Sequence, residues 1–128
     1  MSKRQAAIAV LAGALSALTL GSPALAKDGD ILVRGSCTAG STAKLKLSAE
    51  NGRIEVEFEV DQNRNGVAWT VVLEQGGRRV GRLNRTTRAP RGSFEARKVI
   101  ANAAGADIVR ARASRQGEVC SARATFPA

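Results

Sequence analysis

One short segment has the residue pattern of a cation-binding loop. Residues 61–66, with the sequence DQNRNG, match the opening of an EF-hand calcium loop, whose oxygens at alternate positions converge at a sharp turn. The twelfth position of such a loop should be a bidentate glutamate, but here it is Val72. Asp, Asn and Gly are also the residues that hairpin loops favour. Asp61, Asn63 and Asn65 are therefore the candidate calcium ligands, but the sequence favours a structural turn without metal or any other cofactor.

A second candidate is a run of arginines between residues 78 and 91. Arginine forks bind phosphate and carboxylate groups through paired hydrogen bonds. An exported basic segment of this kind suits a polyanion such as an anionic cell-envelope polymer or extracellular nucleic acid. The alternative is a solvated face that binds nothing, because most runs of charged residues are simply exposed to solvent. The run, called the arginine stripe below, contains Arg78, Arg79, Arg82, Arg85, Arg88 and Arg91.

The stripe can be compared with arginines elsewhere on the chain. If it is a binding site, removing the three arginines at residues 85, 88 and 91 should weaken retention on a phosphate matrix more than removing an equal charge elsewhere. Equal losses would mean that the positive net charge of the chain attracts polyanions diffusely. The comparison set lies in later, strand-like segments and consists of Arg110, Arg112 and Arg123.

Composition excludes several kinds of chemistry. The chain has no histidine, so Ser-His-Asp and Cys-His nucleophiles and histidine metal sites are excluded. It has no tyrosine and only 3% aromatic residues, which argues against a platform that stacks nucleic-acid bases. Glu55, Glu57 and Glu59 lie on one strand opposite lysines rather than in an evident catalytic cleft. The sequence predicts a protein that is not an enzyme and has no specific nucleic-acid partner.

The two cysteines, Cys37 and Cys120, lie near opposite ends of the region that follows the leader. Two cysteines are too few for a structural zinc cluster, and in an exported chain they are most simply one disulfide. The alternative is a reactive or intermolecular thiol pair, but no C-x-x-C redox motif is present. The sequence predicts a disulfide that joins the first strand to the last.

The first 26 residues have the features of a secretory signal. Lys3 and Arg4 precede an apolar run over residues 6–20, and Ala24 and Ala26 supply small residues before a cleavage point. The run is shorter than the roughly 20 residues that span a bilayer. We therefore expect a signal-peptide helix at residues 1–26 and a single domain at 27–128. The protein is expected to be secreted, extracellular or envelope-associated, and not membrane-spanning.

The clearest structural signal is a hairpin centred on Asn51 and Gly52. The segment on each side alternates apolar and charged residues, as half-buried strands do, and Asn-Gly favours a two-residue hairpin turn. With these two residues as the loop, paired positions sum to 103. Lys44 then lies opposite Glu59, and Leu47 lies opposite Val56. A slip of one residue would destroy both the charged and the apolar pairs.

Similar alternation recurs along the rest of the chain. A strand is expected at about residues 67–75, with Trp69 in the core, followed by a Gly76-Gly77 turn. The simple register beyond this turn pairs Val71 with Arg82, so we expect a bulge or an early end of pairing there. About seven to eight short strands and no helix are expected after the leader. This pattern predicts an all-β, antiparallel, two-sheet β-sandwich.

Five short motifs carry a resemblance to known proteins: VRGSC at 33–37, GVAW at 66–69, GSFE at 92–95, AGAD at 104–107 and GEVC at 117–120. In this order they resemble small secreted actinobacterial proteins of unknown function. The resemblance implies an immunoglobulin- or fibronectin type III-like sandwich and carries over no catalytic residue.

The function expected from the sequence is a secreted, non-enzymatic binding module. Its partner is left open between an anionic cell-envelope polymer and another protein. The alternatives are a calcium-dependent adhesion module and a histidine-free carbohydrate-active enzyme.

Overall fold

A computed structural model describes residues 29–128, and the expected signal peptide lies outside these residues. Within the described range the chain is all-β, with nine strands and no helix. No helix capable of spanning a membrane occurs among residues 29–128. The strands are β1 (Ile31–Arg34), β2 (Ser36–Cys37), β3 (Thr42–Glu50), β4 (Arg53–Asp61), β5 (Ala68–Gln75), β6 (Arg78–Thr86), β7 (Ser93–Ala101), β8 (Asp107–Arg115) and β9 (Glu118–Phe126).

The strands form two antiparallel sheets that pack face to face, which confirms the predicted sandwich. One sheet has five strands in the order β2-β9-β8-β5-β6, and the other has four in the order β1-β3-β4-β7. The first strand is divided between them at Gly35. A Cβ atom there would lie 2.6 Å from the carbonyl oxygen of Ser121, so only glycine lets the chain cross so close to β9.

The connectivity follows from three hairpins, of which β8–β9 is the last. The β3–β4 hairpin lies within the four-stranded sheet and the β5–β6 hairpin within the five-stranded sheet. β7 then returns beside β4, and β8 beside β5. An immunoglobulin sandwich places its second and third strands in different sheets. Here the first hairpin keeps β3 and β4 in one sheet. The two-sheet architecture is therefore the expected one, but the order in which successive strands join the two sheets differs from that of an immunoglobulin domain.

The β3–β4 register is the one predicted from the sequence. Lys44 pairs with Glu59 and Leu47 with Val56, and the pairing runs without a break to the turn. Asn51 and Gly52 have φ values of 50° and 78°, as a type I′ turn requires. The Lys44 Nζ lies 3.3 Å from Glu59 Oε1. Complementary charges on one side and apolar pairs on the other both fix this register.

The predicted irregularity between β5 and β6 is a β-bulge. The register shifts between Leu73 and Glu74, which leaves Val80 without a direct partner and places Leu83 opposite Val71. The shift restores an apolar pair where the simple register would have set an arginine against valine. Relative to simple pairing, the shift also moves every later side chain of β6 to the opposite side of the sheet.

The core consists of the inward-facing apolar residues of both sheets. Trp69 is 2% exposed, as expected for a core residue, and its ring centroid lies 5.8 Å from that of Phe94. Phe58 and Phe126 are also buried. These four residues are all the aromatics of the chain, so no aromatic side chain remains on the surface to stack against a ligand.

Candidate polyanion-binding surface

The outer face of the five-stranded sheet gathers arginines from three strands. Val109, Ala111 and Ala113 of β8 face the core, so the alternate arginines of that strand face outward. The same alternation places Arg123 of β9 on this side, and the bulge brings two arginines of β6, Arg79 and Arg82, to it as well. The resulting surface, called the arginine face, contains Arg79, Arg82, Arg110, Arg112 and Arg123.

Strand pairing arranges the arginine face in two rows across the sheet. In one row Arg110 lies between Arg123 and Glu74, and Glu74 in turn lies opposite Arg79. In the next row Val72 lies between Arg112 and Arg82. Glu74 is the one acidic residue of this face. Neighbouring strands are about 4.8 Å apart, so the arginines occupy closely spaced backbone positions across four strands of the sheet.

The outer face of the four-stranded sheet has the opposite character, because its charges compensate one another. Lys46 pairs with Glu57 at 3.6 Å, and Arg97 Nε donates to Glu55 Oε2 at 2.6 Å. The strand registers place five basic and six acidic side chains on this face. They are Arg34, Lys44, Lys46, Arg53 and Arg97, with Glu50, Glu55, Glu57, Glu59, Asp61 and Glu95.

The arginine face carries charge that the described part of the protein leaves uncompensated. Within residues 29–128, ion pairs to carboxylates involve Lys44, Lys46, Arg97 and Arg115. None of these belongs to the arginine face. Its side chains are exposed, so their donors remain available to an external anion.

The structure divides the predicted arginine stripe instead of gathering it. Only Arg79 and Arg82 join the arginine face. Arg85 turns to the other side of β6 and donates from Nε to the Glu95 carbonyl oxygen at 3.1 Å. Arg78 pairs opposite Gln75 on that same side. The last two members lie in the β6–β7 loop: Arg88, whose backbone bonds to Ser93, and the exposed Arg91.

Simple alternation along β6 would place Arg79 and Arg82 on opposite sides of the sheet, and the bulge between them brings both to the same side. The arginines of the comparison set, Arg110, Arg112 and Arg123, form the β8–β9 part of the face. What the sequence could not show is that β5 and β6 continue that side.

A groove borders the arginine face where the first strand crosses between the sheets. β2 pairs with β9 only at Cys120 and Ser121, because the chain then leaves through Gly35 for the other sheet. Continued pairing would have set Arg34 opposite Arg123. Their separation opens a groove of about 520 Å³. This edge groove is lined by polar side chains from both sheets: Arg34, Ser36, Arg110, Arg112, Ser121 and Arg123.

The loop that contains the candidate calcium ligands is tied to the β6–β7 loop. Thr87 is 2% exposed; its Oγ1 donates to the Arg64 carbonyl oxygen at 2.6 Å and accepts from the Val67 amide at 2.9 Å. Asp61 Oδ1 accepts from the Asn63 amide at 3.1 Å, an Asx turn within the loop. The bonds of Thr87, together with the Gly66 amide that donates to the Thr87 carbonyl oxygen at 2.8 Å, join the two loops, whereas the Asp61 bond stabilises the turn within its own loop.

We expect millimolar calcium to leave the melting temperature unchanged. The loop's oxygens cap a turn, and the flanking strands bring no bidentate carboxylate to the position of Val72. Bound calcium would stabilise the native protein by about 2.7 kcal/mol at 100 times its dissociation constant. A calcium-dependent rise in melting temperature that Asp61→Ala abolishes would contradict this prediction.

The carboxylates of β4 form a cluster on the four-stranded sheet. They are the groups to consider for the alternative function, a histidine-free carbohydrate-active enzyme. Burial, then the hydrogen bond and charge of Glu95, raise the pKa of Glu57 to about 6 against the opposing effect of Lys46. Glu95 lies on β7, directly opposite Glu59. The cluster lies on the outer face of a sheet, among paired charges.

Glu57→Gln is expected to stabilise the protein at pH 7.5. A raised pKa means that ionisation of Glu57 opposes folding, so its favourable contribution is present below about pH 4 and is lost as the pH rises through about 6. The gain should reach up to about 2 kcal/mol at pH 7.5 and vanish at pH 4. Chemical denaturation at the two pH values measures it. Glu59→Gln is the matched control, with an expected change within about 0.5 kcal/mol, and a less stable Glu57→Gln protein at pH 7.5 would refute the prediction.

The predicted disulfide is present between Cys37 and Cys120, which are paired neighbours on β2 and β9. Beside it, the 3% exposed Glu118 accepts four hydrogen bonds. Three come from the β2–β3 loop: the Ala39 amide at 3.1 Å, the Ser41 amide at 2.9 Å and Ser41 Oγ at 2.7 Å. The fourth comes from Arg115 Nη2 at 3.1 Å. The sequence offered no signal for this buried carboxylate.

Glu118 is held in its ionised form. Burial opposes ionisation, but the bonds from Ser41 and Ala39 and the Arg115 guanidinium outweigh it and keep the pKa of Glu118 below its usual value. Its carboxylate lies close to both sulfurs, but these are joined to each other and are not available as thiolate metal ligands.

No protein-family model, curated protein or solved structure matches the chain. The resemblance to secreted actinobacterial sandwich proteins therefore remains a prediction from the sequence.

Proposed function

We propose that the protein is an exported, non-enzymatic module that binds an anionic cell-envelope polymer through the arginine face. The observation that carries the proposal is the charge asymmetry between the two sheets. Five arginines and one glutamate occupy one outer face, whereas the charges of the other face compensate one another. A surface that only contacts solvent has no requirement for its positive charge to be concentrated on the outer face of one sheet.

The form of the face favours a polymer over a single small anion. The arginines come from β6, β8 and β9, so they extend across most of the width of the sheet. Regular backbone pairing holds their Cα positions rigidly, while the side chains adapt. A chain with repeated negative charges can contact several guanidinium groups at once, and each contact releases counterions.

Two observations favour a polymer of the cell envelope over intracellular or single-stranded nucleic acid. All four aromatic residues are buried, which removes base stacking as a source of affinity. The disulfide suits an oxidising compartment outside the cytosol, in agreement with the expected signal peptide. Double-stranded DNA needs no stacking and is therefore included in the binding test as a competitor.

We expect the triple variant Arg82→Gln/Arg110→Gln/Arg112→Gln to lose most of its retention on a phosphodiester polymer matrix. The matched control, Arg78→Gln/Arg88→Gln/Arg91→Gln, removes the same charge from outside the face and should retain most of it. Each lost phosphate contact lowers the slope of log affinity against log salt by about 0.7–0.9, so the face variant should lose about 2 or more. Affinity chromatography across a salt series measures both quantities.

Equal losses in the two variants would refute the proposal, because they would reduce the attraction to diffuse net charge. Tighter binding of duplex DNA than of the envelope polymer would also overturn it. The variants replace exposed residues, so unchanged melting temperatures serve as the folding control.

A further inference from the structure

We infer that the edge groove is a binding site for a single phosphate group of the polymer, with the remaining arginines of the arginine face, Arg79 and Arg82, holding the chain on one side of it. This inference rests on the proposed function for the identity of the polymer, but the groove makes its own prediction about small ligands. The groove is a concave feature beside a flat array, and its volume of about 520 Å³ lies in the range of small-molecule sites.

The polar side chains that line the groove are hydrogen-bond donors without an acidic competitor, and Val33, Val119 and Ala122 supply its apolar part. Four arginines and two serines contribute to it, and no aspartate or glutamate does. Within the described residues, none of these four guanidinium groups forms an ion pair with a carboxylate. An anion that enters the groove therefore does not have to displace an internal partner.

The donors approach from two sheets, which favours a tetrahedral anion over a planar one. Arg34 reaches the groove from β1 of the four-stranded sheet, whereas Arg110 and Arg123 reach it from the paired strands β8 and β9. A carboxylate offers two oxygens in one plane, which one arginine fork can satisfy. A phosphate offers oxygens in several directions and can use donors from both sides at once.

The groove exists because of how the first strand is built. Continued pairing of β2 with β9 would have set Arg34 directly opposite Arg123. Gly35 instead takes the chain across to the other sheet, and its missing side chain lets the backbone pass close to the Ser121 carbonyl oxygen. Ser121 itself is exposed and lines the groove. The two arginines therefore stay near each other, but with space for an anion between them.

Titration with glycerol phosphate, followed by NMR chemical shifts of the backbone amides, tests the site without the polymer. We expect saturable shifts at residues 34–36 and 121–123. Arg34→Gln/Arg123→Gln should raise the Kd by about tenfold or more, as expected for the loss of charge-assisted hydrogen bonds. The matched variant Arg79→Gln/Arg82→Gln removes the same charge from the face beyond the groove and should leave this Kd within about twofold.

A second variant separates the shape of the groove from its charge. Ser121→Trp fills the groove without removing any arginine, so it should abolish glycerol phosphate binding while retention of the polymer falls only in part. Tighter binding of acetate or of a sulfate ester than of glycerol phosphate would overturn the assignment to phosphate. Unchanged binding in Ser121→Trp would overturn the groove as the location.

The outcomes for the groove and for the proposed function can be told apart. If the polymer binds through the arginine face but glycerol phosphate does not bind, the groove inference is wrong and the proposed function stands. If glycerol phosphate binds in the groove but the polymer is not retained, the proposed function is wrong and the groove remains a phosphate site.

Discussion

The double variant Cys37→Ala/Cys120→Ala should lose about 4 kcal/mol of unfolding free energy relative to the oxidised protein. The disulfide closes a loop across a sequence separation of 83 residues, and the chain-entropy model values such a crosslink at about 4.5 kcal/mol before native-state strain is subtracted. For a domain of this size each kcal/mol corresponds to about 4–8 °C, so the melting temperature should fall by roughly 15–30 °C.

Reduction of the unmodified protein provides the matched control. A thiol reductant should lower its stability to about that of the double variant, and it should leave the double variant unchanged. Thiol titration of the unfolded, unreduced protein should find no free cysteine. Two reactive thiols per chain, or a stability loss below about 1 kcal/mol, would contradict the prediction.

We expect Glu118→Gln to destabilise the protein by about 3 kcal/mol at pH 7. The substitution keeps the shape of the side chain but replaces one acceptor oxygen with a donor amide, which faces N–H and O–H groups that already donate. Buried donors then lose their partner, and the Arg115 guanidinium loses its counter-charge. Urea denaturation measures the loss. A change within 0.5 kcal/mol would show that the β2–β3 loop does not depend on this carboxylate.

The loss of stability caused by Glu118→Gln should depend on pH in a known direction. The pKa of Glu118 lies below its usual value in the folded protein, so its stabilising contribution is complete above about pH 5 and is lost as the pH falls through the folded-state pKa. The difference between Glu118→Gln and the unmodified protein should therefore be constant from pH 6 to 8. It should shrink at pH 3 and below. Gln116→Ala, a nearby exposed substitution, should show no such dependence.

Local sequence was enough to predict the parts of this fold that depend on neighbouring residues. The Asn51-Gly52 turn and the alternation around it determine the β3–β4 register, because one register satisfies both faces at once. The pairing of two cysteines followed from their number and from the expected compartment. The need for a bulge after Gly77 was also visible, since simple pairing set Val71 against an arginine.

The parts that escaped prediction depend on contacts between segments distant in sequence. Which arginines share a surface depends on the bulge position and on β8 packing beside β5, neither of which periodicity specifies. The edge groove requires the first strand to cross between sheets at Gly35. The partners of Glu118 lie 77 to 79 residues away, apart from Arg115. For these reasons the sequence located the arginines but did not show which of them share a surface, and the surface we propose includes only Arg79 and Arg82 of the predicted stripe.

The covalent link between β2 and β9 also determines how the domain would respond to mechanical force. Tension applied at residues 31 and 126 passes along the first strand to Cys37, through the sulfur–sulfur bond to Cys120, and out along β9. Strands β3 to β8 lie within the closed loop, outside this path. A domain pulled at these residues could therefore extend only by the segments that precede Cys37 and follow Cys120. The arginines of β6 and β8 would keep their places under tension, whereas Arg123 of β9 lies in a segment that can be drawn out.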